Sequence, residues 1–208
     1  MDIFVNGIEI DYAHPPLTWG DFYNDLLAGY IEKNHAVVSI LVDKTESLNV
    51  IAKDPRQSPP GDIKKIEVFT KDTFLITKDG FVRVLALTDS IRCEIPIAAG
   101  FYRKGQTIDA AAIIKKIMVS IPAMIDFVNS VGLNYSLNFD EIPLDREITL
   151  KKGMEFFLNS FSHLVEVKKR RDNDEIANYL EQQFLKAVAT WSKTVKKLLR
   201  KVSELSPK

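Results

Sequence analysis

The dipeptide Asn6-Gly7 constrains this chain more sharply than any other short segment. Both residues tolerate the positive φ of a type I′ turn, and Ile3 and Val5 before them and Ile8 and Ile10 after them complete a two-residue β-hairpin. Such a turn pairs Val5 with Ile8 and Ile3 with Ile10, so all four are expected on one face. Phe4, out of phase, is expected exposed on the other face beside Glu9, marking either an interface with the helical part or an outside partner. The apolar face needs a cover, and the sequence supplies one at once. Thr18 and Asp21 have the spacing of a capping box, after which Trp19, Phe22, Tyr23, Leu26, Leu27, Tyr30 and Ile31 recur at helical intervals. Asn34 is expected to end this helix in the left-handed conformation.

An apolar, β-branched run at residues 36–42 reads as a buried strand, 48–51 as a short strand and 63–70 as another. The turn-rich stretch 54–61 reads either as the join between the last two or as a domain linker, and the first is preferred because the small sheet needs Ile66, Val68 and Phe69. Hairpin, helix and strands in this order resemble the β-grasp or ubiquitin-like arrangement over residues 1–70, at the level of fold. That resemblance implies one helix packed across a mixed sheet whose open face or edge contacts partners. The Gly-Gly tail used for conjugation in that family has no counterpart here, because the chain runs on for well over a hundred residues.

The remainder reads as helical. Residues 107–131 carry Ala110, Ile113, Ile117, Ile121, Met124, Val128 and Val131 on one stripe, opened by Thr107 and Asp109 and kinked at Pro122. Residues 146–169 repeat the pattern with Leu150, Met154, Phe157, Phe161, Leu164 and Val165. From Asp172 a long helix presents Ile176, Leu180, Phe184, Ala187, Trp191, Val195, Leu198, Val202 and Leu205 at steps of three and four. It is expected to reach roughly 45 Å and to project beyond its domain. Residues 72–102 support two readings. Ile91, Cys93, Ile95 and Ile97 alternate as in a strand, while Phe81, Val84, Leu85, Ile91, Ile95, Ala98, Ala99 and Tyr102 make a helical stripe, and the continuity of that stripe favours a helix. The expected fold is therefore α+β: a small β-grasp-like domain at 1–71, then a bundle of three to four helices at 72–208.

No catalytic, metal or cofactor site is expected. His14, His35 and His163 are scattered, with no HExxH and no Cys-His ligand spacing. Phosphate-cradling glycine motifs and the GxSxG elbow are absent from the sequence. Cys93, the single cysteine, rules out an internal disulfide and reads in the strand alternative as a small buried hydrophobe. The acidic, polar start MDIFVNGIEID is unlike a signal peptide, and no apolar run approaches the roughly 20 residues of a spanning helix, so a cytoplasmic protein without membrane contact is expected.

The charges balance overall but not locally. Residues 1–70 carry a net −5, residues 71–147 a net −1 and residues 148–208 a net +6. The basic excess gathers at Lys168, Lys169, Arg170 and Arg171 and at Lys193, Lys196, Lys197, Arg200 and Lys201. Complementing helix C-termini and solvating the outer helix faces accounts for part of it. The remainder forms a positive band suited to an acidic protein surface, a second copy of the chain, or nucleic acid. Nucleic acid is disfavoured by the lack of interleaved aromatics. Three functional classes follow: a non-enzymatic interaction module, which is preferred; a nucleic-acid binder; and an enzyme whose groups converge only in space.

Overall fold

The computed structural model describes residues 1–12, 16–57, 59, 62–146 and 148–205, with Val50 described by its backbone alone. The chain divides into two compact units, Met1–Ile76 and Thr77–Lys208. A mixed five-stranded sheet occupies the first, and helices make up most of the second.

In the first unit the elements are β1 (Asp2–Val5), β2 (Ile8–Ile10), α1 (Trp19–Gly29), β3 (His35–Val42), β4 (Thr45–Glu46), α2 (Leu48–Lys53) and β5 (Lys65–Asp72). The strand order is β2-β1-β5-β3-β4, with β1 and β5 parallel and the other pairs antiparallel. Asn6 and Gly7 have φ of 50° and 81°, and Val5 faces Ile8 and Ile3 faces Ile10, the register the turn dictates. The Asn6 side chain accepts from the Thr70 N–H and donates to the Thr70 hydroxyl, both at 2.8 Å, pinning the turn to β5. Ile3, Val5, Ile40, Ile66 and Val68 pack with Trp19, Phe22 and Leu26 of α1. The Thr18–Asp21 capping box starts α1 with both reciprocal bonds present.

Several expectations for this unit are corrected. Ile8, although in phase, is 71% exposed, because it sits at the turn end of the short edge strand β2. Leu27 and Tyr30 are also exposed, so the buried stripe of α1 is Trp19, Phe22 and Leu26. The helix stops at Gly29 with Tyr30 as its cap, and Asn34 is not left-handed. The Asn34 carbonyl instead accepts from the Thr73 N–H at 2.8 Å. Residues 48–51 form the start of helix α2 and not a strand. The Glu46 carboxylate accepts from the Leu48 N–H at 3.0 Å at its start, and a three-residue step turns Leu48 and Ile51 to the same core. The strand of that hairpin is β4, joined to β3 through Asp43 and Lys44, both at positive φ. Asp43 takes this conformation without glycine because its carboxylate accepts from the backbone N–H groups of Lys64 and Lys65.

Helix α3 (Thr73–Arg103) follows β5 directly, and Asp72 accepts from the Phe74 and Leu75 N–H groups at its start. Residues 72–102 thus take the helical alternative. Phe81, Val84, Ile91, Ile95, Ala98, Ala99 and Tyr102 are buried along one face, and Leu85 is half-buried at its edge. Helix α4 (Thr107–Asn134) runs through Pro122 and buries Ala110, Ile114, Ile117, Ile121, Met124, Val128 and Val131; Ile113 lies at the boundary. Thr107 does not cap it, since the cap position is Gln106 and carries no side-chain bond. Contacts between Thr77 and Tyr135, Phe81 and Phe127, and Glu94 and Lys116 show that α3 and α4 run antiparallel. Gly80 permits the approach at its level, because a Cβ there would run into the Phe127 ring.

Helix α5 (Leu150–Lys169) is capped by Thr149 and buries Leu150, Met154, Phe157 and Leu164, while Phe161 and Val165 are half-buried. The final helical run has three parts: α6 (Asn173–Tyr179), a π segment (Leu180–Phe184) and α7 (Leu185–Leu205). Every expected core position from Ile176 to Val202 is buried; Leu205 is 49% exposed. The steps from Ile176 to Leu180 to Phe184 each drift about 40° ahead on an ideal α-helix, and the wider turn takes up that drift. Tyr179 donates to the Ser160 carbonyl at 2.7 Å, Phe157 stacks on Trp191 at 4.8 Å, and Gly153 abuts Thr194, so α5 and α7 are antiparallel.

Arg103 at the end of α3 holds Glu181 of the π segment through two bonds of 2.7 Å. Those hydrogen bonds hold the Glu181 carboxyl below its ordinary range. A carboxyl with a lowered folded pKa contributes stability above its unfolded value and loses it as pH falls through the folded one. Wild type and Arg103→Ala are therefore expected to differ in melting temperature at neutral pH and to converge in acid, as read by thermal unfolding across a pH series.

Candidate interaction surfaces

The buried seam of α7 leaves its opposite side to solvent. Lys186, Lys193, Lys196 and Arg200 are exposed, Lys197 and Lys201 are half-exposed, and at 100° per residue the six fall within an arc of about 140°. Glu204 is the one acid in the helix, and it pairs with Lys201 at 3.1 Å. Among the described residues, Lys186, Lys193, Lys196, Lys197 and Arg200 have no ion-pair partner. Lys186 was not anticipated from the sequence, because it stands apart from the dense run at 193–201 and joins it only around the helix.

The other basic cluster is of a different kind. Lys169 pairs with Glu166 at 2.7 Å and Arg170 with Glu175 at 2.5 Å, while Arg171 takes a φ of 60° where the chain leaves α5. Lys168 is half-buried. These residues complement the C-terminus of α5. The two clusters do not come together. The antiparallel course of α5 and α7 puts Lys168, Lys169, Arg170 and Arg171 at the connected end, with Lys193 about 33 Å of helix further on.

Phe4 faces away from α1, within one cross-strand row: Glu9, Phe4, Glu67, Leu41 and Glu46. It is half-buried where exposure was expected, because the Lys65 amine lies 4.5 Å from its ring centre. Lys65 also bonds Glu67 at 2.8 Å. The Glu46 carboxyl is held below its ordinary range, first by the Ser39 hydroxyl and then by the Leu48 N–H, so it serves the β3–β4 connection. Phe69 and Val38 add exposed apolar area on β5 and β3. Tyr12, bonded to Asp25 at 2.6 Å, has its phenol pushed well above the ordinary range by burial and by that carboxylate.

One cleft escaped sequence reasoning. Trp19, Tyr23, Leu48, Ile51 and Pro55 are among the walls of an apolar hollow of about 330 Å³. It exists because 48–53 is helical and because the Gly20 N–H donates to the Pro55 carbonyl at 2.7 Å, drawing the following loop onto α1.

The sequence-level histidines and the cysteine do not converge. His35 opens β3 with Nδ1 3.3 Å from Glu32, His163 is exposed on α5 against the Tyr179 ring, and His14 lies outside the described residues. Cys93 is exposed, because the helix turns Ile91 and Ile95 inward and carries residue 93 to the far side. Among the described residues no three His, Cys, Asp or Glu side chains gather as metal ligands, and no helix is long and apolar enough to cross a membrane. Compared with family models, curated proteins and solved structures, the chain matches none.

Proposed function

We propose that this chain is a non-enzymatic protein-interaction module that docks an acidic partner surface on the outer face of α7. In this reading residues 1–71 are a β-grasp-like domain, supported by the mixed sheet with α1 across one face. Residues 72–208 are a bundle built from the α3–α4 and α5–α7 hairpins, supported by the antiparallel contacts within each. The observation that carries the function is the α7 face, where five basic side chains lack an ion-pair partner among the described residues. Like charges held together on one rigid face repel each other, and an acidic partner relieves that repulsion and speeds encounter.

The test is affinity capture with the full chain as bait from nuclease-treated lysate, run beside the variant Lys193→Glu/Lys196→Glu/Lys197→Glu/Arg200→Glu. A specific protein bound by wild type, released at high salt and bound at least about tenfold more weakly by the variant is the expected result. A partner captured equally by both chains would overturn the assignment of this face. If the untreated lysate yields nucleic acid, with affinity falling steeply as salt rises, the band is a phosphate-binding surface instead.

A further inference from the structure

Helix α4 has a second face that its own fold does not use. Stepping alternately by four and three from Ile108, it presents Ala112, Lys115, Val119, Pro122, Asp126, Asn129 and Leu133, every one of them exposed. Ile108 is 87% exposed, Val119 71% and Leu133 80%, which is unusual for large aliphatic side chains on one helix face. A repeat of about 3.5 residues is the pattern by which one helix seats against another at a shallow crossing angle.

We infer that this face pairs α4 with α4 of a second copy, antiparallel, about a two-fold axis passing between Ser120 and Ile121. An isologous contact must be complementary to itself, and this one is. That axis sets Lys115 opposite the second copy's Asp126, Ile108 opposite its Leu133, Val119 opposite its Pro122 and Ala112 opposite its Asn129, and each pair occurs twice. Among the described residues neither Lys115 nor Asp126 has an ion-pair partner within its own chain. A parallel pairing would instead set lysine on lysine and aspartate on aspartate.

The surface relief agrees. A hollow of about 530 Å³ is lined by Ile108, Ala112, Lys115 and Val119 of the first half of the stripe and by Lys168 of α5. A second of about 540 Å³ lies against Asn129, Gly132 and Leu133 at the far end of the stripe. The antiparallel arrangement delivers Leu133 to the first hollow and Ile108 to the second. Eight positions per copy fall short of the roughly 20–30 residues of a standard interface, so the dimer is reversible and concentration-dependent.

Sedimentation velocity of the full chain over a range of about 1–200 µM is expected to show a monomer–dimer equilibrium. Lys115→Asp and Asp126→Lys each create two like-charge contacts, and each is expected to raise the dissociation constant at least about tenfold. Mixing the two variants restores opposite charge at both contacts, so a heterodimer should return to near wild-type affinity, which also shows that both variants fold. A chain that stays monomeric throughout would overturn the inference. So would a dimer indifferent to either variant, or a mixture that fails to recover.

Discussion

Trp191→Ala is expected to destabilise the Thr77–Lys208 unit by about 3–5 kcal/mol, the range for removing a large aromatic from a packed core. Trp191 is fully buried, its ring lies 4.8 Å from Phe157, and Phe157 in turn stacks on Phe184 at 6.3 Å. The alanine variant therefore opens a void between α5 and α7 and unsupports two further rings. Trp191→Phe should cost far less. The indole Nε1 is buried with no hydrogen-bond partner among the described residues, so phenylalanine removes an unsatisfied donor, worth about 1–3 kcal/mol, along with some volume. Urea unfolding followed by circular dichroism separates the two variants. A phenylalanine variant as unstable as the alanine one would show that the donor is satisfied after all.

Phe22→Ala should be at least as damaging to Met1–Ile76. Phe22 is fully buried, with its ring edge-on to both Tyr12 and Trp19 at 5.7 and 5.9 Å. The loss per residue is again about 3–5 kcal/mol, set against the 5–15 kcal/mol that holds a typical domain. Here the core is small, ten buried residues among those described, so one missing ring removes a larger share of it. The variant is expected to lose the fold of this unit at 37 °C. The chain's two tryptophans fall one in each unit, so Trp19 emission in a Trp191→Phe background reports this loss alone. Retention of native emission in that background would show that Tyr12 and Trp19 close over the gap.

The parts of the architecture that rest on short-range rules are legible in the sequence alone. The Asn6-Gly7 register, the Thr18–Asp21 cap and the buried faces of α4, α5 and α7 depend on turn chemistry and on one apolar stripe each. What failed depends on neighbours. Leu48 to Ile51 has strand-like residues, but the Glu46 carboxylate provides a helix start there. Ile8 is in phase yet lies at the turn end of the edge strand β2, and Cys93 alternates with isoleucines in a segment whose longer pattern is helical. The basic residues of α7 could be read from composition and spacing. Their difference from Lys168, Lys169, Arg170 and Arg171 could not, because it lies in which lysines and arginines find an acid nearby. The α4 stripe was hidden for a related reason: alanine, proline and lysine look like ordinary surface until Ile108, Val119 and Leu133 prove to be uncovered with them.

The bulge in β3 has a consequence for how this protein behaves when crowded. Only residues 41 and 42 of that strand pair with β4, and the Ile40 carbonyl accepts from the Ser47 N–H at 2.8 Å, so among the described residues 35–39 is the longest stretch of sheet edge on which another chain could lay a strand. The register shifts between Val37 and Ser39, in the middle of that flank. An irregularity there breaks the even row of amide donors and carbonyl acceptors that a growing fibril copies from one molecule to the next. The opposite flank is β2, three residues long. Concentrated solutions should therefore resist amyloid-type growth from the folded state.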